Sequence, residues 1–175
     1  MQIVSFVSPK LTTRNLVYLA MLMAMQLVLG RLSIGNDWIK ISPAFIATVI
    51  MGYYFGPWLA ALVGMLNDQL AFLLWGTGAN FLGFTLSAAA GAFIYGMFLY
   101  NKEIKVWRVF LASFLVILVV NIGMDTLWLV MMGMNFNVII WPRVLKNLIV
   151  FPIQAGLATS ILRAVVRVRP HLTNN

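Results

Sequence analysis

The sequence predicts an all-α integral membrane protein, a six-helix bundle with both termini in the cytoplasm. Composition, the lengths of the uncharged runs and the placement of basic residues carry that expectation. Of 175 residues 62% are apolar and 9% charged, whereas soluble domains carry about 25% charged residues. Uncharged runs cover residues 15–30, 41–67, 69–101, 109–124, 126–142 and 147–162, and a crossing needs about 20 mostly apolar residues. The first run gives a helix near 14–32, bounded by Arg14 and Arg31. The block from 41 to 101 contains one charge, Asp68, and holds three crossings. Gly56-Pro57 and the turn-rich "WGTGAN" at 75–80 divide it, giving helices at 43–56, 57–75 and 81–100, the first of them short. The last two runs place helices at 108–132 and 141–166.

Orientation follows from the cations. Lys10, Arg14, Lys102, Lys105, Arg108, Arg163, Arg167 and Arg169 fall on one side, eight against the four of Arg31, Lys40, Arg143 and Lys146 near the other. The positive-inside rule therefore puts both termini in the cytoplasm. A net charge of +8 is explained by topology and anionic headgroups, and nothing resembles a nucleic-acid module, so no nucleic-acid partner is expected. Residues 15–30 are followed by Arg31 without a small-residue cleavage site, so they read as the first helix rather than a signal peptide. The chain has no cysteine. No repeat or soluble domain is evident, and residues 1–175 read as one transmembrane domain in a lipid bilayer.

Charges inside the oily segments point to a site, because intramembrane ionisable groups are expensive. Asn121, Asp125 and Trp128 fall at i, i+4 and i+7, while Arg143, Lys146, Asn147 and Gln154 share a stripe on the next helix. Two cations and an amide on one stripe make an anion-binding wall, which Arg31, Asp37 and Lys40 can complete. Each residue taken singly also fits snorkelling or simple pairing. "WGTGANFLGFTL" at 75–86 gathers Trp75, Asn80, Phe81 and Phe84 around glycines and can serve as a lid, or be an aromatic belt with an ordinary turn. Ala20 and Ala24 form a small-xxx-small pair, as do Gly83, Ser87 and Gly91, either for packing or for contact with another membrane protein.

The series "GYYFGPWLAALVGMLNDQLAFLL", "GTGANFLGFTLSAAAGAFIYGMFLY", "MDTLWLVMMG" and "PRVLKNLIVFPIQ" resembles the folate family of S components of energy-coupling factor vitamin transporters. The resemblance runs from Arg31 to Gln154 and implies a six-helix substrate-binding subunit. Such a subunit docks on a transmembrane coupling protein driven by two ATPase subunits. It further implies that Ala20 and Ala24 lie at the docking surface and that Asp68, in a G-x-x-x-D context, belongs to the site. Two departures concern the ligand. Asp125 stands where family members more often have Asn, and "FLGFTL" where they have a proline-containing "FPGFTL". Folate is the expected vitamin, with pantothenate, carried by close relatives, as the alternative.

Two other classes compete. Asp68 and Asp125 on separate helices can form an aspartyl dyad, but adjacent cations would hold Asp125 ionised. The sole histidine, His171, lies in the polar tail, which argues against serine–histidine chemistry and zinc. A standalone ion-coupled carrier lacks its usual inverted repeats. No G-x-x-x-x-G-K-[ST] occurs, so the expected energy source is a separate ATPase, and no cofactor or metal is expected.

Overall fold

A computed structural model describes residues 4–35, 40–76 and 81–168, of which 34, 35, 40, 41 and 168 are described by backbone alone. The elements are α1 (Thr13–Arg31), β1 (Ile34–Gly35), β2 (Lys40–Ile41), α2 (Phe45–Trp75), α3 (Leu82–Leu99) and α4 (Val106–Leu115). A π-helix (Val116–Met124), α5 (Asp125–Met131) and α6 (Phe136–Val168) follow. The strands form a two-residue antiparallel ladder, Ile34 opposite Ile41 and Gly35 opposite Lys40. Everything else regular is helical, and five segments are long and apolar enough to cross a membrane: Thr13–Arg31, Phe45–Trp75, Leu82–Leu99, Val106–Met131 and Phe136–Arg167.

The expected boundary at Gly56-Pro57 is a kink rather than a gap between helices. Gly56 has φ 74° and ψ −178°, a region essentially restricted to glycine, and Pro57 starts the second half of α2. Proline suits a first helical position because the missing N–H would have no intrahelical acceptor there. The next donor, Trp58 N–H, is accepted by the Ser8 hydroxyl at 3.2 Å, and Trp58 Nε1 donates to the Phe6 carbonyl at 3.0 Å. A strap ahead of α1 thus caps the restarted helix, and Ser5 N–H ties it to the Met97 carbonyl at 2.8 Å.

α6 starts five residues earlier than the expected 141, at Phe136. The Asn135 side chain accepts from the Asn137 N–H at 3.1 Å, an N-terminal cap that the apolar-run reading overlooked. Pro142 and Pro152 lie inside this helix, as membrane helices tolerate when neighbours satisfy the freed backbone groups. The fifth expected helix, 108–132, spans 106–131 but is π-helical at its centre. The unbroken apolar "VILVVNIGM" carries no residue that signals such a change.

The main contact is between α2 and α3, and glycines make it close. A Cβ on Gly52 would lie 2.8 Å from Gly96 N, and one on Gly96 would lie 2.5 Å from Pro57 Cα. Around this crossing Met51, Phe55, Tyr95, Val109 and Leu162 are fully buried. These residues lie towards the ends of α2's first half, α3 and α6 and the start of α4, so the apolar core fills the half of the bundle nearest both termini. The opposite half carries the buried charges.

Candidate functional site

The site grows from the far ends of α2, α3, the π-helix and α6. Chain direction brings residues 68–75, 81–87, 121–128 and 143–147 to the same end of the bundle. Arg143 is the organiser. Its Nη2 donates to the Asn121 carbonyl at 2.9 Å and pairs with Asp125 Oδ2 at 3.5 Å, with side-chain exposures of 7% and 21% for Arg143 and Asp125. Asn121 therefore contributes its backbone oxygen rather than its amide. π-Helical geometry shifts hydrogen bonds to i→i+5 and is frequent at functional sites; here the Asp125 N–H reaches back to the Val120 carbonyl.

Lys146 is half-buried and acts electrostatically on both Arg143 and Asp125. Asn147, four residues after Arg143 on the same face, is 2% exposed. Among the described residues Asp125 Oδ1, Arg143 Nε and Asn147 Nδ2 are buried without a hydrogen-bond partner. Buried polar groups are ordinarily paired, so an acceptor and two donors held this way suit a polar ligand edge.

Aromatic rings stand beside the charges. Phe81 lies 5.7 Å from Trp128 and 6.2 Å from Phe84, centroid to centroid. Trp128 Nε1 donates to Ser87 Oγ at 3.0 Å, fixing the indole on α3. Gly83 makes room for them, since a Cβ there would lie 2.5 Å from ring atoms of both Phe81 and Trp128. Asp68 accepts a 2.6 Å bond from the Thr85 hydroxyl, which in turn accepts from Gln69 Nε2. Ser87, Thr85 and Gln69 were not expected at the site. "GFTLS" placed a threonine and a serine two residues apart at an apolar helix start, which is the signal that would have found them.

Other expected residues stand apart. Arg31 ends α1 with an exposed side chain, outside the Asp125–Arg143 contacts. Trp75, the last residue of α2, is half-buried. Lys40 is described only by its backbone in β2, while Asp37, Asn80 and the rest of the "GTGAN" lid after Gly76 lie outside the described residues. Gln154 leaves the basic stripe, donating to the Tyr95 hydroxyl at 3.4 Å, which contacts Ser113 Oγ at 3.4 Å. Ala20 and Ala24 are both exposed on α1, so packing inside this chain does not account for them.

Known proteins share this arrangement of helices. The chain is similar to a curated folate transporter, FolT, of Leuconostoc mesenteroides, 41% identical over 166 residues, which covers 90% of this chain and 89% of that one. A FolT of Clostridium novyi is 42% identical over 142 residues, covering 80% and 83% respectively. Among solved structures, a crystal structure of FolT bound with folic acid superposes with a TM-score of 0.80 at 36% identity, covering 84% of this chain and 91% of that one. The family model described as ECF transporter, substrate-specific component, matches residues 14–162. By that match and by these relatives of nearly equal length, the chain belongs to the substrate-specific components of ECF transporters.

Proposed function

We propose that this chain is the high-affinity folate-binding subunit of an ECF importer in the cell membrane. The observation that carries the reading is the junction of the Phe81–Trp128 pair with the Asp125–Arg143–Asn147 cluster. Folate combines a flat pterin that stacks on aromatic rings, hydrogen-bonding edges and glutamate carboxylates that suit basic side chains. Pantothenate has no ring to use the aromatic pair. The folic acid in the similar FolT structure supports the same choice. Asp68, Trp75, Phe81, Asn121, Asp125, Trp128, Arg143, Lys146 and Asn147 form the proposed binding set. Mass spectrometry of the small molecule copurifying with the protein, followed by titration with folate and pantothenate, tests it. Pantothenate binding in the absence of folate binding would overturn the reading.

Binding rather than catalysis is the proposed role. Asp68 is bonded to Thr85 and Asp125 to Arg143, which disfavours a carboxylate pair sharing one proton. Energy would come from two ATPase subunits acting through a transmembrane coupling protein. We place both termini in the cytoplasm with six crossings in one domain, the kink at Gly56 separating the second from the third. The cysteine-free sequence allows this to be read with single introduced cysteines and an impermeant maleimide. Labelling at residue 103 from outside intact cells would reverse the orientation.

Exposed Ala20 and Ala24 suit docking on the coupling protein, because both face one direction and small side chains permit close helix approach. Replacing both by Leu is expected to leave folate binding intact in detergent and to reduce cellular uptake with the full complex at least tenfold. Normal uptake at normal expression would refute docking there; joint loss of binding and stability would indicate internal packing.

Asp125→Asn should also be informative. The amide keeps size and an acceptor for Arg143, while one negative charge beside an anionic vitamin disappears. Folate affinity is expected to rise about fivefold, corresponding to about 1 kcal/mol, with expression unchanged. Loss of folded protein would make Asp125 a structural counter-ion instead.

A further inference from the structure

We propose that a groove between α4 and α6, away from the vitamin site, binds an anionic phospholipid, with an acyl chain on its aromatic wall and the headgroup at the basic start of α4. Val106, Trp107, Phe110, Leu111 and Phe114 with Phe151 line this groove of about 610 Å³. Phe151 stands edge-on to Phe110 at 5.7 Å and to Phe114 at 6.0 Å, so α4 and α6 share one aromatic surface. From Val106 to Phe114 the wall runs about 12 Å along the helix axis. Trp107 and Phe114 remain 49% and 47% exposed, as groups facing lipid would be.

Cations sit at one end only. Lys102 and Lys105 precede α4, and Arg108 lies in its first turn. The Arg108 guanidinium is 5.5 Å from the centre of the Trp107 ring, so it adjoins the groove wall directly. The residue is 3% exposed, and its Nε is buried without a hydrogen-bond partner among the described residues. Lys105 pairs with Glu103 at 3.3 Å, but these side chains are 44% and 79% exposed, so solvent weakens the pair and a phosphate can compete for the lysine.

A neutral acyl chain would use the wall and leave the cations without a role. A free anion would use the cations and leave the wall. A phospholipid of negative charge satisfies both within one molecule, and basic pockets between membrane helices on the cytoplasmic side recognise such headgroups.

The test reconstitutes the full chain in phosphatidylcholine vesicles containing graded fractions of acyl-brominated phosphatidylglycerol or acyl-brominated phosphatidylcholine. Bromine quenches tryptophan on contact, and the difference between wild type and Trp107→Phe isolates the signal from this groove. Half-maximal quenching of Trp107 is expected at a roughly fivefold lower mole fraction of phosphatidylglycerol, about the ratio one basic side chain at a headgroup confers. Lys105→Gln or Arg108→Gln should move that curve towards phosphatidylcholine. Folate titration verifies folding, and Lys105→Gln still serves if the buried Arg108 tolerates no change. Coincident curves for the two lipids would overturn the proposal, leaving only ordinary bilayer contact. Absence of Trp107 quenching would overturn it too, because a second copy or a protein partner would then cover the groove.

Discussion

Arg143→Ala is expected to weaken folate binding by about 1.5–3 kcal/mol, the range for hydrogen bonds to charged groups, and to destabilise the fold as well. The guanidinium holds Asp125 and the Asn121 carbonyl together in a largely buried position. Removing it strands the carboxylate in a poorly solvated interior, and breaking a buried pair in this way costs about 3–5 kcal/mol. Adding Asp125→Asn removes the stranded charge, so the double variant should regain most of the lost stability. Folate affinity should remain low, because the cation for the ligand carboxylates is still missing. Thermal unfolding and folate titration of both single variants and the double separate these effects. Recovery of affinity together with stability would reduce Arg143 to a counter-ion for Asp125.

Gly56→Ala is expected to destabilise the protein by about 3 kcal/mol or more, whereas Pro57→Ala should cost less than about 1 kcal/mol. At Gly56 the backbone adopts a conformation that L side chains avoid, which alone costs about 1–3 kcal/mol. A methyl group would also lie 2.5 Å from the Val7 carbonyl oxygen and 2.8 Å from Ser8 Oγ, disturbing the strap that caps Trp58. Pro57 has no comparable role, since alanine also accepts the first position of a helix. Thermal unfolding in detergent compares the two. Equal losses would mean that the proline, rather than the left-handed glycine, sets the kink.

Burial of long apolar runs made most helices legible from sequence. Charges and paired turn residues bound α1 and α3 to within one residue of expectation at each end. Where reading failed, the determining interaction was either local and polar or distant along the chain. Asn135 starts α6 through a single side-chain hydrogen bond, so counting apolar residues back from Arg143 misses it. Ser8 caps a helix 50 residues away, and no local pattern announces that contact. At the site, Asp125, Trp128, Arg143 and Asn147 stood out because charge and amide groups are costly within a span. Thr85 and Ser87 did not, because hydroxyls are ordinary in membrane helices and only the packing of α3 on its neighbours gives them Asp68 and Trp128 as partners.

The π-helix at Val116–Met124 has a consequence for how such a pocket changes over generations. A π-turn holds more residues than an α-turn over the same stretch. Loss of a single codon there would let the segment return to α geometry, turning everything after it by about 100° relative to what precedes it. Asp125 and Trp128 would rotate away from Arg143 and Ser87 while the span kept its apolar character and nearly its length. Insertion and deletion, rather than substitution, can therefore redirect the ligand-facing side of this helix in one step. In sequence comparisons across the family, gaps inside this run carry more information about ligand choice than the conservative exchanges of Val, Ile and Leu around them.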